Sequence, residues 1–284
     1  MTQLSDKAVL VHLAVSQWVA KKLDRTASNE IARLNGAVRG AGNYNKSLLP
    51  TCAQLDKVKQ ETALIRKTFY QNTLPWGIQG TYILPSSNYL AFMAEYRQQQ
   101  SRWWGLVNNF LDDYEGLRDD AERLLGTMYN PSEYPTLAEL EHKFSMDLTV
   151  LPVPTAGDFR VELIDAEYDA IRADLEERVA ESSKAAARDV WQRLYDKVAW
   201  LHGRMADVNN TFHDQTFIDA RELVSMLGRL NFMDDPELEG MRQKAEALLM
   251  PHPQTVAHDP ELRSSTADEA KAIMDKMRVF MEGV

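Results

Sequence analysis

Cysteine is almost absent from the sequence, since Cys52 is the only one among 284 residues. A single thiol excludes an intrachain disulfide and a metal site built from several thiolates, and it is typical of a reducing compartment. The phosphate-binding patterns GxxxxGK with Ser or Thr and GxGxxG, and the hydrolase pattern GxSxG, are missing as well. We therefore predict no catalytic residue and no cofactor, and we expect Cys52 to be a small buried residue.

Metal-ligand spacings are also lacking. His202, Asp207, His213 and Asp214 lie close together in sequence, but no HExxH or His-x-His pattern accompanies them. The acidic run at 112–122 would spread around the solvent side of a helix, as charged helix faces usually do. Surface and capping roles explain both groups, so we predict no metal site.

Positive charge is in deficit, with 32 Lys and Arg against 42 Asp and Glu and a net charge of −10. Such a balance gives no general attraction to nucleic acid or to an anionic membrane, although a local basic patch can still exist. No apolar run approaches the roughly 18 residues of a transmembrane helix. The N-terminal segment lacks the basic region and cleavage site of a secretory signal, so we expect a cytoplasmic protein without membrane contact.

Helical periodicity dominates what is present. A helix is predicted over about 27–38, with Ile31, Leu34 and Val38 on one face, and another from Thr51 to Leu74. The strongest apolar stripe predicts a long helix over 86–125, bent at Gly105 or Gly116. A second long helix is predicted over 165–206. Its small residues at 182–187 suggest close approach to a partner helix.

Two segments instead have strand character. Val9–Val15 is a short Val-rich run that predicts a buried strand. Apolar and polar residues alternate through 144–163, with a Pro-Thr-Ala-Gly turn in the middle, which predicts a β-hairpin. Because an isolated hairpin is marginal in water, we expect the N-terminal strand to join it in a three-stranded sheet.

The C-terminal third predicts shorter helices, one over about 215–231 and two that begin with the same DPEL cap at Asp235 and Asp259. The predicted fold is therefore mainly α. It has two long antiparallel helices, a small three-stranded sheet made of the N-terminal strand and the central hairpin, and a helical C-terminal bundle. The predicted division places a long-helix domain at 1–206 and a C-terminal helical region at 207–284.

The segment Thr68–Ala94 contains no charged residue, although 26% of the chain is charged. Three interpretations stay open: a loop buried between the long helices, an exposed surface for another subunit or partner, or the wall of a small-molecule pocket. Trp103 belongs to the apolar stripe, whereas the adjacent Trp104 is expected to be exposed. The predicted interaction surface comprises Leu74, Trp76, Ile78, Tyr82, Ile83, Leu84 and Trp104.

Nucleic-acid contact is the weaker alternative. Arg188, Arg193 and Lys197 lie on the second long helix and are its candidate phosphate contacts. Asp189 and Asp196 interrupt them, so the basic face is discontinuous.

Several blocks of sequence carry a family resemblance, and it spans nearly the whole chain. They are SQWVAKK, NKSLLP, NTLPWG, ILPSSNY, PVPTAGDFRVEL, RDVWQRLYDKV and RLNFMDDPEL. The chain resembles an uncharacterised family of tailed-phage and mobile-element proteins that is defined only as a domain of unknown function. The resemblance implies a phage or integrative-element origin, with a MoxR-type AAA ATPase and a von Willebrand A-type protein encoded nearby. It supplies no catalytic residues.

These observations lead to a functional prediction. The chain is expected to be a non-enzymatic interaction or assembly protein in the cytoplasm of an infected bacterium. It would self-associate, or act as adaptor or substrate of the MoxR-type ATPase. The alternative is a DNA-processing accessory protein, such as a recombination or replication factor.

Overall fold

A computed structural model describes residues 4–155, 165–207 and 214–283 of the chain. This part is mainly helical with a small antiparallel sheet, which confirms the coarse prediction. Its α-helices are α1 Leu4–Lys7, α2 Arg25–Leu34, α3 Ala53–Asn72, α4 Ser86–Asp112, α5 Tyr114–Leu125, α6 Leu137–Glu141, α7 Asp165–Ala206, α8 Asp214–Leu230, α9 Pro236–Leu249, α10 Pro253–His258 and α11 Pro260–Gly283. Its strands are β1 Ala8–Ser16, β2 Lys21–Leu23, β3 Asn45–Ser47, β4 Leu74–Pro75, β5 Tyr82–Pro85 and β6 Ser145–Pro152.

The chain divides into two compact units, and each is built from separate stretches of sequence. Unit 1 contains Met1–Leu13, Thr68–Ala94 and Leu148–Val284. Unit 2 contains Ala14–Lys67 and Glu95–Asp147. The predicted domain boundary at 206/207 falls inside unit 1. It therefore does not separate the compact units, because α7 packs along α11 and so belongs with the C-terminal helices.

The main sheet differs from the predicted one. Its strand order is β4-β5-β1-β6, and β1 lies between β5 and β6. In the β1–β5 pair, Ala8 is opposite Pro85 and Val11 is opposite Tyr82. The N-terminal strand and the first strand of the 144–163 hairpin are confirmed, while the second strand of that hairpin lies outside the described residues. β4 and β5 were missed because two and four residues are too few to show a period of two.

The core of unit 1 forms where α7, α8, α9 and α11 pack together. Trp191 of α7 is buried there, stacks on Phe280 with ring centroids 5.7 Å apart, and donates its indole N–H to Asp235. Asp235 also caps α9 by accepting from the backbone N–H of Glu237 and Leu238, as its Asp-Pro sequence predicts. Asp259 caps the start of α11 in the same way.

The second predicted long helix is confirmed, because α7 runs over the predicted residues. Its small residues meet a turn instead of a helix. A Cβ built on Gly77, in the turn after β4, would lie 2.5 Å from the Ser182 hydroxyl oxygen of α7. Ala186, one helical turn further on, is also buried. Because these residues of α7 are small, the β4–β5 connection can pack against the helix. The predicted antiparallel pair of long helices is not observed, since α7 packs on α11.

Unit 2 is organised around α3, α4 and α5. The prediction of the first long helix is wrong in one respect. The helix is interrupted at Asp113, between α4 and α5, and it is not bent at a glycine. Trp103 of α4 is fully buried and donates its indole N–H to the Thr62 hydroxyl of α3 at 2.8 Å. Its neighbour Trp104 is 37% exposed, as expected.

The two adjacent tryptophans provide a matched stability test. Replacing Trp103 with alanine is expected to lower the free energy of unfolding by about 3–5 kcal/mol, because a buried ring and a buried hydrogen bond are lost. Trp104→Ala, its control, should cost less than about 1 kcal/mol, since that ring is partly in solvent. Chemical denaturation followed by circular dichroism measures both. Equal losses would contradict the assignment of Trp103 to the core of unit 2.

Candidate functional site

The uncharged segment Thr68–Ala94 coincides with the middle stretch of unit 1. It contains the end of α3, strands β4 and β5, and the beginning of α4. The connection between the strands is closed by the Trp76 N–H to the Thr81 carbonyl and the Thr81 N–H to the Ile78 carbonyl. The segment is thus an interior hairpin with its flanking helix ends.

Most of the predicted interaction surface is therefore internal, and that prediction is corrected. Leu74, Trp76, Ile83 and Leu84 are buried in unit 1, and the first three belong to the same apolar core as the buried side chains of α7. At the tip of the hairpin, by contrast, Ile78 is 63% exposed.

Tyr82 is half-buried, with its ring 5.1 Å from that of Phe69. Trp104 lies in unit 2, where its ring is 4.8 Å from that of Trp103. The burial interpretation therefore describes most of the two strands, whereas the tip of the hairpin and parts of the flanking helices, such as Leu90, are exposed.

Arg193 is not available to nucleic acid. Its guanidinium donates to the carbonyls of Tyr70 at 2.9 Å, Gln71 at 3.2 Å and Thr73 at 2.9 Å. It also pairs with Asp189 one turn earlier on α7. These carbonyls lie at the C-terminal end of α3, where a helix has no hydrogen-bond donors of its own to offer them. Arg193 of α7 therefore caps the C-terminus of α3.

Arg188 and Lys197, the other two candidate phosphate contacts, do not form a site with Arg193. Arg188 is exposed and Lys197 is half-buried on α7. Burial raises the pKa of the intervening Asp189 carboxyl more strongly than the Arg193 guanidinium lowers it. The basic face predicted on α7 is therefore not continuous.

Within the described residues, no group of three or more His, Cys, Asp or Glu side chains is placed to hold a metal ion. Cys52 is buried beside the start of α3, as predicted. Burial raises the pKa of its thiol, which disfavours the reactive thiolate. The helices in this part of the chain include none with both the length and the apolar character to cross a lipid bilayer.

A different surface emerges in unit 2, which sequence reasoning did not single out. Residues 19–47, here called the basic lobe, contain β2, α2 and β3. β2 and β3 form a separate antiparallel ribbon, with Lys21 opposite Ser47 and Leu23 opposite Asn45. Every residue from 33 to 45 is exposed. The lobe therefore presents a long stretch of chain to solvent.

The backbone of the lobe is nevertheless well defined. Asp24 caps α2 by accepting from the Ala27 N–H at 2.9 Å, and the Ser28 hydroxyl accepts from the Tyr44 N–H at 2.9 Å. α2 ends where Gly36 takes a positive φ of 65°, and the Ala37 N–H bonds back to the Ala32 carbonyl at 2.8 Å. The exposed chain is thus held by its own hydrogen bonds.

The buried ammonium of Lys46 anchors the ribbon within unit 2. It lies 2.8 Å from a carboxylate oxygen of Glu133 and 3.7 Å from one of Asp24, and it donates to the Met128 carbonyl at 2.7 Å. A buried ammonium needs such compensation, because it has lost its hydration. The same interaction ties the N-cap of α2 to the ribbon.

The apolar face of α2 is open to solvent. Ile31 is 47% exposed and Leu34 is 69% exposed, and Val38 just beyond the helix is 79% exposed. The predicted helix 27–38 begins and ends earlier than expected, but its predicted apolar residues are present. An amphipathic helix normally buries this face, so the lobe has an uncovered apolar surface.

The lobe also carries five cations. Among the described residues, none of their side chains forms an ion pair. All five are exposed, and they are Lys21, Lys22, Arg25, Arg33 and Arg39. The range 21–39 also holds Asp24 and Glu30, so its net charge is +3 within a chain of net charge −10. The sequence shows the excess of positive charge over 21–39, but only the structure shows that these five side chains are exposed.

A shallow groove of about 260 Å³ separates α2 from the chain that follows it. Ile31, Ala32, Asn43 and Tyr44 are among the residues that line it. This volume is slightly below the roughly 300–1,000 Å³ of small-molecule pockets.

No protein-family model, curated protein or solved structure matches this chain.

The role of Arg193 as a cap is testable through stability. Arg193→Ala should lower the free energy of unfolding by about 2–3 kcal/mol, because the end of α3 loses charged donors and Asp189 loses its partner. Lys184→Ala, an exposed cation on the same helix, is the control and should change it by less than about 0.5 kcal/mol. Equal stability of Arg193→Ala and wild type in chemical denaturation would refute the cap.

The raised pKa of Cys52 predicts slow alkylation. In the folded protein near neutral pH, the thiol is both covered and protonated, so iodoacetamide should react far more slowly than in denaturant. Mass spectrometry of timed samples measures both rates. Comparable rates in the two states would show that Cys52 is not enclosed.

Proposed function

We propose that this chain is a non-enzymatic interaction protein and that the basic lobe is its binding surface. The observation that carries the proposal is the exposed apolar face of α2, formed by Ile31, Leu34 and the adjoining Val38. Single exposed apolar residues such as Leu124 also occur elsewhere in unit 2, but here three of them follow one another at helical spacing. We take this grouping as the mark of a surface that is maintained for a partner.

The architecture of the lobe supports this role. The Lys46 ammonium and the Asp24 cap hold α2 and the ribbon in place without covering the apolar face. A surface that is already ordered loses less conformational entropy when it binds. The lobe is therefore suited to recognition.

The family resemblance supplies the biological setting of the proposal. The protein is a phage or mobile-element product that acts in the bacterial cytoplasm. It self-associates, or serves as adaptor or substrate of the MoxR-type ATPase, together with the von Willebrand A-type protein. The lobe replaces the uncharged segment as the surface that makes these contacts.

One observation favours the alternative, a DNA-processing accessory protein. The cations Lys21, Lys22, Arg25, Arg33 and Arg39 make no ion pair among the described residues, so they are available to phosphates. This differs from the α7 cations predicted earlier, of which Arg193 is engaged within the protein.

A double substitution tests the lobe as the binding surface. Leu34→Asp with Val38→Asp should remove the association of the tagged chain with itself or with the MoxR-type ATPase, because two charges would replace exposed apolar contacts. Stability should change by less than about 0.5 kcal/mol per site, since both residues are exposed. Light scattering of the purified chain, and copurification of the ATPase from infected cells, measure the two associations.

Leu90→Asp is the matched control, because Leu90 is 81% exposed but lies on α4 outside the lobe. The control should keep every association of the wild type. A double variant that associates as the wild type does would place the binding surface elsewhere.

A further inference from the structure

Building on the proposed binding role of the lobe, we infer that it binds single-stranded nucleic acid. In this arrangement the phosphates contact the exposed cations of 21–39, and one base enters the groove beside Tyr44. The inference rests on charge, on the placement of the cations and on the groove, which are independent features of the lobe.

The charge of the lobe opposes that of the rest of the chain. The range 21–39 has a net charge of +3, so the remaining residues carry −13. Asp24 is engaged with Lys46, which leaves Glu30 as the acidic residue of the range without a described ion pair. The acidic remainder would repel a polyanion, so its contact would be confined to the lobe.

The placement of the cations favours a flexible strand over a rigid duplex. Lys21 and Lys22 are successive residues of β2 and project to opposite faces of the ribbon. Arg25 lies at the start of α2, Arg33 in its last turn and Arg39 in the turn beyond it. A helix of 10 residues is about 15 Å long, so these charges surround a small body. A single strand can bend to reach several sides of such a body, which a stiff double helix cannot.

A hydrogen bond and a glycine set the position of Arg39. The Ala41 N–H bonds to the Val38 carbonyl at 3.2 Å, and Gly40 has a φ of 86°. This turn leaves Arg39 at its tip, where the guanidinium can approach a phosphate in two-point contact.

The groove supplies the contact to a base. A nucleobase has apolar faces and a polar edge, and the groove is lined by apolar side chains together with the amides of Asn35 and Asn43. The Tyr44 backbone is bonded on both sides, since its N–H donates to Ser28 and its carbonyl accepts from the Asp24 N–H at 2.9 Å. Its backbone is thus held in place, and its ring can offer a base a stacking surface, which tolerates any base sequence.

The lobe offers two kinds of side chain, exposed apolar residues and cations that form no ion pair among the described residues. A single strand carries both bases and phosphates, so it can contact both kinds.

Fluorescence anisotropy of the purified full chain tests the inference. The probe is a labelled oligothymidylate of about 20 nucleotides, which offers a flexible, sequence-neutral strand. If about five phosphates are contacted, the affinity should fall roughly 100-fold between roughly 50 and 200 mM salt. A duplex of the same length should bind more weakly. Equal or tighter binding of the duplex would overturn the single-strand assignment.

Two sets of variants locate the contact. Lys22→Glu with Arg39→Glu should weaken binding by tenfold or more, on the order expected for two lost phosphate contacts. Arg97→Glu should not, because Arg97 is exposed on α4 outside the lobe. Tyr44→Ala should weaken binding roughly tenfold by removing a stacking partner, while Tyr44→Phe should restore it. Melting temperatures near that of wild type would show that the variants are folded.

The outcomes separate this inference from the proposed function. If oligothymidylate does not bind even at low salt, or if the lobe variants bind as tightly as Arg97→Glu, the inference is wrong. Suppose that the oligonucleotide does not bind, but Leu34→Asp with Val38→Asp abolishes the association with the ATPase. The lobe is then a protein-binding surface, and the proposed function stands without the inference. Binding to vesicles of anionic lipid, but not to the oligonucleotide, would overturn the inference in favour of a membrane surface.

Discussion

The fold of unit 1 depends on the burial of one segment that contains no charged residue. Thr68–Ala94 has no charged side chain that must remain in water, so β5 can pair with β1 inside the sheet and the edge strand β4 can pack against α7. Leu74 and Ile83 contribute to the same core as Trp191. Burial of apolar area is the main driving force of folding, so this segment joins the N-terminal strand to the C-terminal helices.

The same force leaves a visible exception in unit 2. The apolar face of α2 stays in solvent, although Lys46 and Asp24 fix the helix firmly. The apolar face is therefore exposed on an ordered helix and not on a frayed helix end. Such a combination is what a preformed recognition surface requires, because the ordering cost is met during folding.

The arginines show how tertiary context divides one residue type between two roles. Arg193, Arg221 and Arg263 donate to carbonyls at the ends of α3, α9 and α7, where the helix dipole is negative. Arg33 and Arg39 have no comparable acceptor among the described residues. The first group stabilises the fold of unit 1. The second adds positive charge to the exposed surface of the lobe in unit 2.

The sequence alone determined the elements that carry a sustained pattern. The apolar stripe of α7, the β1 run and the Asp-Pro caps of α9 and α11 follow from spacing and local chemistry. The tertiary structure decided what no local pattern contains. The short strand β5 exists because β1 supplies its hydrogen-bond partners, and β4 pairs in turn with β5. Arg193 is a cap because the end of α3 lies beside it. The lobe was likewise hidden, because exposure of Leu34 and Val38 depends on what the rest of the chain leaves uncovered.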